Sequence, residues 1–246
     1  MKKLLIIYYH EVVKKGEGAT YQKIEEEKFE AQMQYLKDNG YVSLFFSELC
    51  KPLPEKAVVV SFDDGFRSVY ENAAPIMQKY GVKGNIYLPT AYIGKDGRFM
   101  DWEMARELQE KGFEMQAHTH NHVDIRTLST EELQKEVEIS KEYFVRELGK
   151  TPCAICLPFG TYDRRSLQLL KNTDAYKYVL GSYYGRVGER KLCKGGLLPR
   201  IGISNADSIK IFEKKLKGKL SWKGPLQRMR LFLHSIKGDR VQKYEY

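Results

Sequence analysis

At 246 residues, with 42% hydrophobic and 30% charged residues, the chain has the size and composition of a single α/β domain with a large buried core. Composition excludes a disordered chain, and no apolar run reaches the roughly 20 residues needed to cross a bilayer. The formal net charge of +9 is uneven: residues 210–246 hold eleven Lys or Arg against three Asp or Glu, a surplus of eight. The rest is nearly neutral, which argues for a local basic surface and against nucleic acid as a partner.

The first apolar run, Leu4–Tyr9, follows Met1-Lys2-Lys3 in the manner of a secretory leader. It stops at His10-Glu11 with no small-residue cleavage site, which favours a buried first strand and a cytoplasmic protein. Further β-rich runs are Val58–Phe62, Asn85–Leu88, Phe113–Ala117, Ala154–Leu157, Tyr178–Leu180 and Leu197–Ile203. Amphipathic segments lie between them at Phe29–Lys37, Val69–Tyr80, Trp102–Lys111 and Thr130–Leu148. The last is the clearest helix. Leu133, Val137, Ser140, Phe144 and Leu148 form one stripe, Ser129 with Glu131 and Glu132 starts it, and Gly149 ends it.

Of the four cysteines, Cys50, Cys153, Cys156 and Cys193, the pair at 153 and 156 forms a lone C-x-x-C. It sits in an apolar run, and residues three apart on a strand face opposite ways, so buried reduced thiols are expected rather than a second metal site. No repeat, low-complexity tract or linker divides the chain. The expected organisation is a barrel domain over 1–209 and a basic helical extension over 210–246, packed on or beside it. Alternating strands and helices imply a parallel sheet covered by helices. About seven units favour a barrel over an open sheet, with chemistry at the strand C-termini.

Polar punctuation at those ends carries the functional reading. Val58–Phe62 gives way to Asp63-Asp64-Gly65, and Phe113–Ala117 to His118-Thr119-His120-Asn121-His122. Ala154–Leu157 runs into Pro158-Phe159-Gly160, and the first run ends at His10. Adjacent carboxylates at a buried strand end would force one to keep its proton unless a cation compensates them. A divalent metal bound by one of them leaves the other ionised as a base, and His118 and His122 are four apart, so a turn can aim both imidazoles at the same point. Two histidines and one carboxylate leave coordination positions open, the pattern of a catalytic site. Zinc suits this donor set; cobalt, nickel and ferrous iron also fit it. His120, between the ligands, is expected to be exposed rather than coordinating.

Ser61-Phe62-Asp63-Asp64-Gly65 and His118-Thr119-x-x-His122 resemble the first two motifs of the polysaccharide deacetylases, the NodB-homology or carbohydrate esterase family four. Leu157-Pro158-Phe159-Gly160 resembles the third, and Leu128-Ser129-x-Glu131-Glu132-Leu133 and Ser140-Lys141 follow the family's usual sequence. The resemblance runs from about Leu4 to Ile203. It implies a distorted (β/α)7 barrel and hydrolysis of the acetamide of an N-acetylated amino sugar. It also implies metal binding by Asp64, His118 and His122, water deprotonation by Asp63, and carbonyl stabilisation by the backbone N–H of Phe159. Tyr8-Tyr9-His10 looks like the branch acting on poly-N-acetylglucosamine, which carries its acid in an N-terminal Tyr-His pair; His10 is then the acid. In that branch, as here with Leu157, the motif-three arginine is absent, and Arg200 resembles its late arginine, which would hold Asp63 ionised. His234 resembles the acid position of other branches and is the alternative.

Three rival readings stand beside this one. A non-haem iron oxygenase uses a similar triad but gives Asp63 no role. A carbohydrate-binding module would not turn over, and the third reading is a deacetylase of a lipid-linked or nucleotide sugar. Leu226, Met229, Phe232, Leu233 and Ile236 share one helical face near Trp222. That face either packs on the barrel or lies on anionic membrane.

Overall fold

The computed structural model describes residues 2–172, 176–227 and 229. Twelve strands appear among them. In chain order they are β1 (Lys3–Tyr9), β2 (Glu11–Val13), β3 (Lys23–Glu25), β4 (Val42–Ser43), β5 (Ala57–Phe62) and β6 (Gly84–Leu88). β7 (Glu114–Ala117), β8 (Ala154–Cys156), β9 (Tyr178–Leu180), β10 (Val187–Gly188), β11 (Gly196–Leu198) and β12 (Ile201–Gly202) follow. The helices are α1 (Glu26–Asp38), α2 (Ala74–Tyr80), α3 (Trp102–Glu110), α4 (Thr130–Leu148), α5 (Arg164–Asn172), α6 (Glu189–Lys194) and α7 (Ile209–Leu216).

Strands β1, β5, β6, β7, β8, β9 and β11 pair in that order, each parallel to the next. The predicted run Leu197–Ile203 is in fact two strands broken at Pro199-Arg200. β11 pairs with β9, whereas β12 has crossed over to pair with β1. This change of neighbour nearly closes the sheet into a seven-position barrel of the expected (β/α)7 kind.

Period-two burial separates two cores. Leu4, Ile6, Val59, Tyr87, Ala154, Cys156, Tyr178 and Leu198 pack together in one cluster. Their alternates Leu5, Ile7, Val58, Val60, Ile86, Ile155 and Val179 belong to a second, larger one that includes the helices. Both faces of each strand are therefore buried, which is why the strands read as unbroken apolar runs.

Local chemistry accounts for the helix ends. Ser129 accepts from the Glu132 N–H at 3.1 Å while the Glu132 carboxylate accepts from the Ser129 N–H at 2.7 Å, a closed capping box for α4. Gly149 then ends α4 with φ at 65°. The segment predicted over Val69–Tyr80 opens with a π turn at Val69–Ala73, just ahead of Pro75, which has no N–H to continue an α ladder. Helices α5 and α6 escaped the sequence reading, while α7 falls at the start of the segment expected to be helical from residue 210. Asp163 and Ser166 exchange backbone-to-side-chain bonds ahead of α5, a start signal present in the sequence. In α7, Phe212 and Leu216 are buried with the helical layer, and Phe212 meets Tyr35 of α1 edge-on at 6.1 Å. Residues 223–227 are helical, while Phe232, Leu233, His234 and Ile236 lie outside the described residues. No described helix is long and apolar enough to cross a membrane.

Candidate active site

The ends of β1, β5, β7 and β8 deliver His10, Asp63-Asp64, His118 and Pro158-Phe159-Gly160 to one rim, as parallel strands require. The loops there bend sharply. The non-glycine residues with positive φ among those described are Asp64 (72°), Thr119 (64°), His122 (51°) and Phe159 (59°), all at this rim. Each such residue costs on the order of 1–3 kcal/mol, which surrounding contacts must offset.

The nearest grouping is Asp64 with the two histidines. Asp64 Oδ1 lies 3.2 Å from Nε2 of His118 and 3.2 Å from Nε2 of His122. These residues offer three donor atoms within 4.8 Å of one another, and all three residues are buried. On the far side of its ring, His118 Nδ1 lies 2.9 Å from the Cys156 carbonyl. A carbonyl only accepts, so Nδ1 carries the hydrogen and Nε2 is the nitrogen left for a cation. Burial pushes the Asp64 carboxyl up, but hydrogen bonds from His118 and His122 outweigh it and hold the group well below the usual carboxylate range. His118 moves the other way. Burial lowers it, yet the Cys156 thiol and the Asp64 carboxylate prevail and raise it well above an ordinary imidazole. The triad thus presents one carboxylate and two imidazoles to a point that a cation can occupy.

Asp63 lies within 4.8 Å of His118 but has a different main partner. Arg200 donates to both of its oxygens, from Nη1 at 2.6 Å and Nη2 at 2.9 Å, a bidentate fork. Arg200 is 1% exposed, and its guanidinium lies 4.2 Å from the Tyr8 ring centroid and 5.3 Å from that of Tyr87. Burial raises the Asp63 carboxyl, but the Arg200 charge and its hydrogen bonds overcome this and leave it below the usual range.

His10 faces the same cavity. Its Nε2 is 3.9 Å from Asp64 Oδ2, and Tyr8 meets its ring edge-on at 5.7 Å. Phe159 packs its ring 5.0 Å from that of His122. The cavity has a volume of about 490 Å³, with His10, Asp63, Asp64, His118, His122 and Phe159 among its walls. His120 is half-buried rather than exposed. Its Nδ1 bonds the Thr90 hydroxyl at 2.8 Å and its ring lies beside Tyr143, so it faces away from the carboxylates.

All four cysteines are free; Cys156 is buried, Cys153 only half-buried, and Cys50 and Cys193 are exposed. Buried thiols at 153 and 156 were expected, but not the place of Cys156 in the site. Its Sγ lies 2.7 Å from Arg200 Nη2 and 3.6 Å from Asp63 Oδ2. Strand alternation pointed it inward; nothing local indicated what it would meet. Thr20, Tyr21, Gln22 and Ser182 also line the cavity and carried no sequence signal.

The family model described as "Polysaccharide deacetylase" matches residues 51–178. That stretch contains Asp63, Asp64, His118, His122 and Phe159, while His10 and Arg200 fall outside it. YxkH of Bacillus subtilis (strain 168), a protein named for the same family, is 30% identical over 178 residues, covering 70% of this chain and 62% of its own. The poly-beta-1,6-N-acetyl-D-glucosamine N-deacetylase of Staphylococcus aureus (strain MSSA476) is 25% identical over 166 residues, covering 60% of this chain and 57% of its own. The chain therefore spans about three-fifths of the length of these curated relatives. Among solved structures, the Streptococcus pyogenes deacetylase PplD in complex with acetate superposes with a TM-score of 0.78 at 26% identity, covering 87% of this chain and 98% of that one. IcaB from Ammonifex degensii shares the fold, with a TM-score of 0.71 at 18% identity over 89% of this chain and 97% of that one.

Proposed function

We propose that this chain, which belongs to the polysaccharide deacetylase family, is a metal-dependent hydrolase that removes acetyl groups from an N-acetylated amino sugar in a saccharide and releases acetate. The observation that carries this reading is the separation of the two adjacent carboxylates. Asp64 faces two imidazoles, while Asp63 is gripped by a guanidinium. Two neighbouring acids with different partners suit different tasks.

Asp64, His118 and His122 would hold the metal, and their nitrogen–oxygen donor set suits zinc first, with cobalt, nickel or ferrous iron as substitutes. A divalent ion held there would supply Lewis acidity, which lowers the pKa of bound water to about 7 and polarises a carbonyl. Asp63 takes the proton of the attacking water. Arg200 keeps it ionised for that role, and the fork occupies two of roughly four lone-pair sites on the carboxylate, leaving others for a proton. As the carbonyl carbon becomes tetrahedral, the Phe159 N–H donates to its oxygen, a contact whose loss typically costs about 3–4 kcal/mol of barrier. An amine leaves only once protonated. His10, on the cavity wall beside Asp64, delivers that proton.

Acetate release from chitooligosaccharides and from poly-β-1,6-N-acetylglucosamine, with and without added zinc, tests the reading. Asp63→Asn should retain metal while turnover drops by about 10²–10⁴. A wild-type protein that frees no acetate from any N-acetylated sugar would refute it.

A membrane-associated substrate is favoured by one observation. Trp222, Leu226 and Met229 are 64%, 50% and 52% exposed, and recur at helical spacing among Lys217, Lys219 and Lys223. A basic, aromatic-tipped surface suits anionic lipid, and a lipid-linked saccharide would then meet the enzyme there. Co-sedimentation with phosphatidylglycerol vesicles that survives a Trp222→Glu, Leu226→Glu double substitution would rule this out.

A further inference from the structure

We propose that Glu136, on the buried face of α4, is the positioning residue of the loop that runs from His118 to His122, and that it sets where the second imidazole stands. The proposal rests on the metal-dependent reading above and adds a residue that this reading does not use.

Glu136 occupies a place where the pattern of α4 calls for an apolar side chain. It follows Leu133 by three residues, adjoins Val137 and precedes Ser140 by four, all of them buried, and is itself 7% exposed. A buried carboxylate is costly unless donors meet its oxygens. Here the donors come from the loop. Oε2 accepts the backbone N–H groups of His120 at 3.0 Å and Asn121 at 2.9 Å, and Oε1 accepts from the Asn121 side-chain amide at 2.5 Å.

The loop has its own need for an anion. Thr119 and His122, with φ of 64° and 51°, bracket His120 and Asn121 in left-handed backbone. On the carbonyl side this stretch is already tied down: the Thr119 and His120 oxygens accept the N–H groups of Thr90 at 3.3 Å and Ala91 at 3.0 Å. The His122 N–H closes back on the Thr119 hydroxyl at 3.1 Å. That leaves the N–H groups of His120 and Asn121, and successive N–H groups in such a turn form a concavity suited to negative charge. Glu136 fills it from inside the fold.

The two histidines depend on this clamp unequally. His118 directly follows β7, its N–H donates to the Leu88 carbonyl at 3.2 Å, and its Nδ1 is set against the Cys156 carbonyl. His122 lies beyond the turn, so its 3.2 Å approach to Asp64 Oδ1 follows the turn's position. Glu136 ties that turn to α4, a helix of 19 residues whose start is closed by its capping box. A rigid support of this kind keeps a ligand loop in register.

Zinc affinity, read by competition with a chelating dye, tests the clamp in wild type, Glu136→Ala, Glu136→Gln, Glu136→Asp and Asn121→Ala. Loss of a partner that orients metal ligands typically weakens binding about 10–100-fold, and Glu136→Ala should fall in that range. Glu136→Gln should recover most of the loss, because its amide oxygen accepts both backbone N–H groups while its NH2 faces a rotated Asn121 amide. Glu136→Asp keeps the charge but falls one methylene short, so it should bind zinc more weakly than Glu136→Gln. Asn121→Ala retains both backbone bonds and should lose much less than Glu136→Ala. The visible spectrum of the cobalt-loaded protein reads ligand geometry, and should change in Glu136→Ala and return in Glu136→Gln. Wild-type affinity and spectrum in Glu136→Ala would overturn the proposal. So would Glu136→Asp binding better than Glu136→Gln, an order that decides the matter even if Glu136→Ala does not fold. A wild-type chain that binds no zinc would instead sink the metal-dependent reading.

Discussion

Arg200 grips Asp63 through two hydrogen bonds of 2.6 and 2.9 Å across a separation of 137 residues, with both side chains buried. The pair exists because the chain changes partner strand at Pro199-Arg200, from β9 to β1, and β1 lies beside the strand that ends in Asp63. The barrel's closing step thus places the charge that keeps Asp63 ionised.

Removing that charge should be costly twice over. Arg200→Ala leaves a buried carboxylate unpaired, a change worth about 3–5 kcal/mol of stability, readable as a lower urea midpoint. The paired Asp63 has its pKa depressed on folding, so it adds stability above its unfolded pKa that is lost as pH falls through the folded value. Without Arg200, burial acts alone and raises that pKa. The acidic limb of the kcat/KM profile should therefore move to higher pH, with Arg200→Lys in between. An unmoved limb would separate Arg200 from the base.

His10 can be isolated by the choice of leaving group. His10→Ala should lower acetamide hydrolysis by about 10²–10⁴ while metal content holds. It should slow cleavage of p-nitrophenyl acetate far less, because nitrophenolate leaves without a proton. The same drop on both substrates would mean that His10 shapes the site rather than delivering a proton.

Metal removal should act on both rate and stability. Dialysis against a chelator should abolish turnover, and zinc or cobalt should restore it. Zinc at 100 times its Kd should add about 2.7 kcal/mol to the stability of the native protein. Thermal unfolding of His122→Ala should lose that response. A zinc-induced rise in Tm that persists in both His118→Ala and His122→Ala would place the ion elsewhere.

Gly160 tests the strained loop that carries Phe159. At φ of 67°, a Cβ on Gly160 would fall 2.5 Å from the Ser182 Cβ and 3.0 Å from its backbone nitrogen. Gly160→Ala should destabilise by about 1–3 kcal/mol and displace the Phe159 N–H, the proposed donor to the substrate carbonyl. The expected signature is a fall in kcat larger than any rise in KM. A variant with wild-type kcat and Tm would show that the loop yields without consequence.

The linear order of residues was enough to locate the seven apolar runs of the barrel, the start of α4 at Ser129 and the polar groups at the strand ends, but not the short strands β2, β3, β4 and β10. Each of these is a short-range matter. Period-two burial makes a strand end where apolar residues stop, and the capping bonds span three positions. The same short-range logic led to the expectation that one of the two adjacent carboxylates binds a metal and the other acts as a base.

Tertiary structure decided what those groups meet. Ring closure selected Arg200 for Asp63, strand register set the Cys156 carbonyl against His118, and the turn after β2 brought Tyr21 over the cavity. Such contacts depend on which strands pair and in what register. Those pairings are settled by burial over the whole barrel; the Arg200–Asp63 pair was expected through the family resemblance alone, since the chemistry of the residues around Arg200 does not name its partner.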